Sequence, residues 1–180
     1  MLRPKERIEH PRFVLRCREE ADALRFREVI DRNLAHLRRF MPWARDEPRP
    51  LDALVEHIRD AREKFVRGEE WQFGIFSPDE ARVLGSIGLH RADAPGTMEI
   101  GFWLCESAVG QGIATEATRI LTNLALTTLG ATRVEIRCDV LNERSAAVPR
   151  RLGYVLDDMR EEVFGGAART AQTWVRTEPV

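Results

Sequence analysis

The stretch EIGFWLCESAVGQGIATEA, residues 99–117, decides the fold of this chain. Its first part, Glu99 to Cys105, is apolar and aromatic without helical spacing, and reads as a strand. A loop follows. From Gly112 onward Ile113, Ala117, Ile120, Leu121 and Leu124 recur at three-to-four spacing, the stripe of a helix that runs to about residue 129 and ends at Gly130. A strand therefore passes through a glycine turn directly into a helix. Gly110 and Gly112 let the backbone turn tightly and leave no side chain between the amides and a ligand. The first N–H groups of a helix have no internal partner, and the helix dipole is positive at that end. Together they make a ready anion site, suited to a pyrophosphate, and Thr115 adds a hydroxyl donor. An ordinary strand-to-helix turn has the same pattern, so the loop alone leaves both readings open.

Upstream, residues 70–76, 82–90 and 97–105 read as strands. The turn signals Ser77-Pro78-Asp79-Glu80 and Ala92-Asp93-Ala94-Pro95-Gly96 separate them into an antiparallel meander. Residues 12–16 alternate as a short strand. Residues 22–40 read as one helix, with Phe26, Ile30, Leu34 and Leu37 on a stripe, stopped by Met41-Pro42-Trp43. Residues 46–50 form a charged, Pro-rich loop. Leu51, Leu54, Val55, Ile58, Ala61 and Phe65 then mark an amphipathic helix ended by Gly68. Downstream, residues 132–138 are a strand and residues 143–152 a short helix ended by Gly153. Residues 154–163 and 170–176 form a hairpin around Gly165-Gly166. Helix-linked strands beside a meander predict a mixed α/β (α+β) fold with a mostly antiparallel central sheet flanked by helices. No repeat or linker interrupts the chain, so a single domain over residues 1–180 is expected.

The 180 residues are 43% hydrophobic and 32% charged, the balance of a globular protein. A chain this long buries roughly 70% of its unfolded surface, so it needs no disulfide or metal staple. The net charge of −1 provides no field drawing the molecule to nucleic acid or an anionic membrane, and neither is expected as a partner. Among the 28 basic residues only Lys5 and Lys64 are lysines, which biased genome composition explains more simply than arginine-specific recognition. Cys17, Cys105 and Cys138 form no CxxC pair and fit a reducing compartment. The first seven residues have no apolar segment of a secretory signal. The longest apolar run, residues 100–105, is too short to span a bilayer. The expected location is the cytoplasm. His10, His36, His57 and His90 show no ligand spacing, and no metal is expected.

Two segments resemble the GNAT superfamily of N-acetyltransferases. The superfamily's phosphate loop, Q/R-x-x-G-x-G/A, falls here on Val109, Gly110, Gln111, Gly112, Ile113 and Ala114. Val109 departs from the pattern, at a position that contributes partly through its backbone. Asn142, Ser145, Val148, Leu152, Gly153 and Tyr154 follow the superfamily's N-x-x-S/A-x-x-hydrophobic…L-G-F/Y segment. Residues 99–154 resemble the RimJ/RimL-like branch, acetyltransferases of ribosomal-protein N-termini and their relatives. The stretch LAHLRRFMPW, residues 34–43, is similar to that branch's H-L-x-x-(aromatic)-x-P-W segment. The resemblance covers most of the chain. It implies acetyl-coenzyme A (acetyl-CoA) as cofactor, with its pyrophosphate on residues 109–115. It places the pantetheine arm in a gap where the strand ending at Trp103 and Leu104 splays from residues 132–138, and has Asn142 bond the arm or a bound water. Asn142 also stands where a helix N-cap belongs, and both roles are compatible.

The resemblance further implies that a substrate amine attacks the acetyl thioester directly. Glu99 is the candidate base, acting through a water; the competing reading is a half-exposed surface glutamate. His90 is the alternative base and an acceptor-side residue, although a lone histidine is more often structural. Many superfamily members carry a tyrosine acid shortly before L-G-F/Y, but here Pro149 stands there and has no proton to give. Ser145, one turn earlier, is the nearest hydroxyl, with a local backbone bond as its competing use. A thiolate leaves well at a thiol pKa near 8.5, so a dedicated acid is not required. At pH 7, deprotonating an α-amine costs about 1.4 kcal/mol and a lysine amine about 4.6 kcal/mol. A modestly equipped site therefore suits an α-amine. Trp43 either lines the acceptor mouth or packs a helix end. The expected acceptor is a primary amine, such as a protein N-terminus, with a small amine or amino sugar as the alternative, and a homodimer is expected. Two other readings compete. Gly110, Gly112 and Asp139 imitate a dinucleotide fingerprint, but Thr115 replaces its third glycine and no second mononucleotide half follows. A non-catalytic coenzyme-A-binding domain is the other, which turnover would separate.

Overall fold

The structure, a computed structural model, describes residues 4–164 and 166–180. Among the described residues the order is β1 (Arg7–His10), β2 (Phe13–Arg16), α1 (Ala23–Arg32), α2 (Leu34–Leu37), α3 (Leu51–Arg67), β3 (Trp71–Phe76), β4 (Val83–Arg91), β5 (Thr97–Leu104), α4 (Ile113–Thr127), β6 (Arg133–Asp139), α5 (Glu143–Arg151), β7 (Val155–Phe164) and β8 (Ala167–Arg176). Short 3-10 turns occupy Glu20–Asp22, Pro42–Arg45 and Glu106–Ala108. The strands are hydrogen-bonded in the order β1-β2-β3-β4-β5-β6-β8-β7. β5 and β6 are parallel, as a connection through a helix allows, while β1–β2, β2–β3, β6–β8 and β7–β8 are antiparallel. The expected mixed, mostly antiparallel sheet with helices is the one observed.

The chain forms two compact units, which β4 and β5 both enter. One comprises Lys5–Gly88 with Phe102–Ile113. Here the apolar stripes of α1 and α3 meet the β3 and β4 strands. Ala23, Phe26, Leu54, Ile58, Phe76 and Val83 form a buried cluster, with Val29, Val55 and Trp103 packed against it. Phe26 and Phe76 meet edge to face at 5.9 Å. Each such fully buried side chain contributes about 1.5–3 kcal/mol. Ile30, Leu37 and Ala44 make a second cluster. The expected single helix over residues 22–40 is instead interrupted at Asn33. Its Nδ2 donates to the Val29 carbonyl at 2.7 Å and its Oδ1 accepts the Glu106 N–H at 2.8 Å. A side chain committed to backbone groups on both sides ends α1 there. The 46–50 loop also carries more structure than its composition suggested. Glu47 is 3% exposed and accepts from Arg27 Nη1 at 2.6 Å, from the Arg49 N–H at 2.8 Å and from Arg49 Nε at 3.2 Å.

The other unit comprises Leu89–Gly101 with Ala114–Val180. Beyond Ile113, the buried face of α4 is Ala117, Thr118, Leu121, Thr122 and Ala125, while Ile120 and Leu124 of the expected stripe are only half-buried. The two threonines sit there because their hydroxyls have local outlets. Thr122 Oγ1 donates back to the Thr118 carbonyl at 2.8 Å and lies 2.6 Å from the Tyr154 hydroxyl. β5 pairs with β6 from Thr97↔Arg133 to Glu99↔Glu135, and the pairing goes no further, although β6 stays paired with β8 to Asp139↔Ala171. The turn expected at Gly165-Gly166 involves Gly165, which lies outside the described residues.

Candidate active site

The loop ahead of α4 is built by bonds that leave its outer face bare. The 3-10 turn Glu106–Ala108 is fixed at its start by Asn33 and closed by the Val109 N–H to the Glu106 carbonyl at 3.3 Å. Gln111 Nε2 reaches back to the Ser107 carbonyl at 2.7 Å. Gly110 and Gly112 both adopt left-handed backbone, with φ of 81° and 72°. Gly110, Gln111 and Gly112 are all exposed. A Cβ on Gly110 would meet nothing within 4 Å, so the space above it is open. Alternation into left-handed backbone makes a concavity of N–H groups that receives anions. Ile113 is buried and anchors the first turn of α4, while Ala114 and Thr115 are half-buried. Arg12, which no sequence signal places here, donates from Nη1 to the Gln111 carbonyl at 2.7 Å.

In the same unit, Trp103 is committed to the interior. Its ring lies edge to face with Phe26 at 6.3 Å and tilted against Trp43 at 5.8 Å. Its backbone passes so closely over Gly85 that a Cβ on that glycine would collide with the Trp103 carbonyl oxygen. The Leu104 Cα would stand 2.9 Å from the same Cβ. Trp43 is half-buried and packed against the Ile30–Leu37–Ala44 cluster, so helix-end packing is part of its role.

In the other unit, Glu99 is half-exposed, with Arg137 Nη2 3.7 Å from its Oε2. Its register partner is Glu135, a like charge that is held by Arg133 at 2.8 Å; Arg133 also bonds Asp157 at 2.6 Å. Those two carboxylates hold the Arg133 guanidinium above its usual range. His90 is the penultimate residue of β4, its Nε2 4.0 Å from where a Cβ of Gly101 would stand. Asn142 and Ser145 come together at the start of α5, where Asn142 Oδ1 accepts the Ser145 N–H at 3.2 Å, the cap expected as its structural use. Burial pushes the Cys138 thiol up to about 11, against the pull of the Ser145 and Gln172 side chains. Tyr154, the chain's single tyrosine, is buried against Thr122, and burial pushes its hydroxyl up to about 12 despite that hydrogen bond. Pro149 is buried inside α5. Among the described residues no three His, Cys, Asp or Glu side chains gather as a metal-holding group, and no helix is long and apolar enough to cross a membrane.

Comparison with known proteins agrees with this geometry. The chain is 33% identical to YdaF of Bacillus subtilis (strain 168), a candidate ribosomal N-acetyltransferase, over 145 residues that cover 79% of this chain and 78% of YdaF. It is 37% identical over 92 residues to the ribosomal-protein-serine acetyltransferase of Escherichia coli (strain K12), covering 51% and 50% of the two chains. Its fold matches that of RimL, a ribosomal L7/L12 α-N-protein acetyltransferase solved in complex with coenzyme A. The TM-score is 0.85 at 23% identity, over 96% of this chain and 98% of that one. The profile of the acetyltransferase (GNAT) domain matches residues 12–155. With four-fifths of its length inside that match, and with the glycine turn opening α4, this chain belongs to the GNAT acetyltransferase domain family.

Proposed function

We propose that residues 1–180 act as one N-acetyltransferase domain that transfers an acetyl group from acetyl-CoA to a primary amine, the N-terminal α-amine of a protein. The observation that carries this reading is the exposed left-handed turn of Gly110 and Gly112 opening a 15-residue helix. The open space above Gly110 fits a pyrophosphate, which a Cβ there would crowd. The loop residues Val109 to Thr115 hold the pyrophosphate, chiefly through their amides and the Thr115 hydroxyl. The backbone of Trp103 and Leu104 holds the pantetheine arm, and Asn142, its Oδ1 spent on the cap, offers Nδ2 to it. The cofactor supplies an acetyl group activated as a thioester.

Glu99 takes the amine proton through a water, and Arg137 orients its carboxylate. His90 and Trp43 stand on the acceptor side. With Tyr154 buried and Pro149 protonless, Ser145 is the candidate hydroxyl for protonating the leaving thiolate. A single half-exposed carboxylate suits an acceptor whose deprotonation costs about 1.4 kcal/mol at pH 7 better than one costing about 4.6 kcal/mol. The ribosomal-protein acetyltransferases among its relatives support the same acceptor class. The protein works in the cytoplasm without nucleic acid or membrane. It assembles as a homodimer, for which exposed Val155, Met159 and Val163 on the terminal strand β7 offer apolar surface.

Two measurements test the reading. Calorimetric titration of Gly112→Asp with coenzyme A should show no binding in a folded variant, because the new side chain brings a carboxylate into the anion site; retained affinity removes the loop assignment. A thiol-release assay should show peptides with free N-termini reacting faster than N-blocked peptides bearing lysine. Preference for lysine, small amines or amino sugars overturns the α-amine acceptor. Absence of turnover with every amine leaves a coenzyme-A-binding module.

A further inference from the structure

The loop that would receive a pyrophosphate carries no cation of its own. No lysine or arginine occurs between Arg91 and Arg119, and the segment includes Glu106 and Glu116. Helix-terminal amides contribute only about half an elementary charge, against the negative charge that each phosphorus of a diphosphate diester carries. The structure brings a guanidinium to this loop from the far end of the sequence. Arg12 lies in the turn between β1 and β2, 99 residues from Gln111, and its Nη1 donates to the Gln111 carbonyl at 2.7 Å. The same Nη1 would stand 3.0 Å from a Cβ on Gly112, and Nη2 3.7 Å. Among the described residues this is the side chain's single hydrogen bond, and no carboxylate pairs with it. Arg12 is exposed, so neither core packing nor a buried partner accounts for its position.

We infer that Arg12 is the cationic member of the pyrophosphate site: one donor fixes the Gln111 carbonyl, and the remaining fork bonds the pyrophosphate beside Gly112. This rests on the coenzyme A reading above. A planar guanidinium suits the task because it can hold a carbonyl and a phosphate oxygen together, which a lysine ammonium on a flexible stem does less well. The arrangement also explains how a loop with Val109 in its first position serves an anion, since the charge arrives from another strand pair.

Calorimetric titration with coenzyme A and with 3′-dephospho-coenzyme A tests this, on wild type, Arg12→Ala and Arg12→Lys. Loss of a charge-assisted bond predicts an affinity about 10- to 30-fold weaker for Arg12→Ala. The loss should be equal for both ligands because both carry the pyrophosphate, with Arg12→Lys in between. Because Arg12 is exposed, the melting temperature should stay near that of wild type. Unchanged affinity of folded Arg12→Ala for both ligands overturns the inference, and a loss confined to coenzyme A moves Arg12 to the 3′-phosphate and overturns the pyrophosphate assignment. Failure of wild type to bind either ligand would overturn the cofactor reading itself, which separates the two results.

Discussion

Glu47 and Glu99 are both carboxylates beside arginines, in different units of the molecule, and they are held in opposite ways. Glu47 is buried, and both of its oxygens are taken by donors from Arg27 and Arg49, all within 3.2 Å. Arg38 donates to its backbone carbonyl as well. Glu99 is half-exposed and has one loose ion pair, 3.7 Å from Arg137. A carboxylate whose lone pairs are all bonded has no capacity left for a proton in transit. One held by a single long contact keeps that capacity and is still oriented. The same residue type is thus structural in one region and available for chemistry in the other, and the difference lies in how many donors reach it.

The largest effect should come from the saturated carboxylate. Arg27 is 9% exposed, its Nε and Nη2 already lack partners, and its other carboxylate contact is a long one, Asp31 Oδ1 at 3.4 Å, so Glu47→Ala would leave a buried charge poorly paired. Breaking a buried pair in this way costs about 3–5 kcal/mol. For a chain of this size that is a fall in melting temperature of about 6–12 °C or more. A loss under about 1 kcal/mol would show the cluster to be solvated, and the contrast with Glu99 would fail. The pH dependence sharpens the test. Burial pushes the Glu47 carboxyl up, but the Arg49 N–H and the Arg27 guanidinium outweigh it and hold the group below the usual carboxylate range. A depressed folded-state value means that this stability is present above the unfolded value, near 4.3, and is lost as pH falls through the folded one. Acid melts of Glu47→Gln should accordingly lose less stability below about pH 4 than wild type does.

The middle effect belongs to Glu99. Glu99→Gln should lower kcat by about 100-fold, roughly 2.7 kcal/mol of barrier, with folding stability within about 0.5 kcal/mol of wild type. Its deficit should shrink as pH rises above the acceptor amine's pKa, because the amine then arrives deprotonated. Stability loss on the scale of Glu47→Ala, or a kinetic loss that ignores pH, would place Glu99 with the structural carboxylates.

The sequence exposed these two regions unequally. The glycine turn and its helix could be read because the signals are local: Gly110, Gly112 and the α4 spacing lie within one stretch. The long helix α3 could be read from its stripe for the same reason. β1 was missed because Arg7–His10 has one apolar residue in four and gains its pairing from β2, across a register the sequence does not announce. The break at Asn33 depends on Glu106, and Arg12 reaches a carbonyl 99 residues away. Glu47 sat in a charged loop where burial was not expected. For Asn33 and Arg12 the deciding partner is distant in sequence, so periodicity and spacing carry no trace of it; β1 and Glu47 find partners nearer by, but in segments with no apolar pattern to mark them.

The smallest effect should be that of Ser145. The chain has one tyrosine, and Tyr154 is buried in a hydrogen bond to Thr122 with its proton held tightly, so it cannot serve as an acid. Pro149 offers no proton. That leaves the Ser145 hydroxyl, on the third residue after the cap residue Asn142. A thiolate with a conjugate thiol pKa near 8.5 departs without help. Ser145→Ala should therefore lower kcat by less than about tenfold, or 1.36 kcal/mol, and the cap should persist because Asn142 bonds the backbone N–H and not the hydroxyl. Presteady-state thiol release would separate the chemical step from product release. A loss of a thousandfold with KM unchanged would make the serine an acid, and the site would then be better equipped than the contrast between Glu47 and Glu99 allows. A change in KM alone would place the hydroxyl in cofactor binding, beside Asn142.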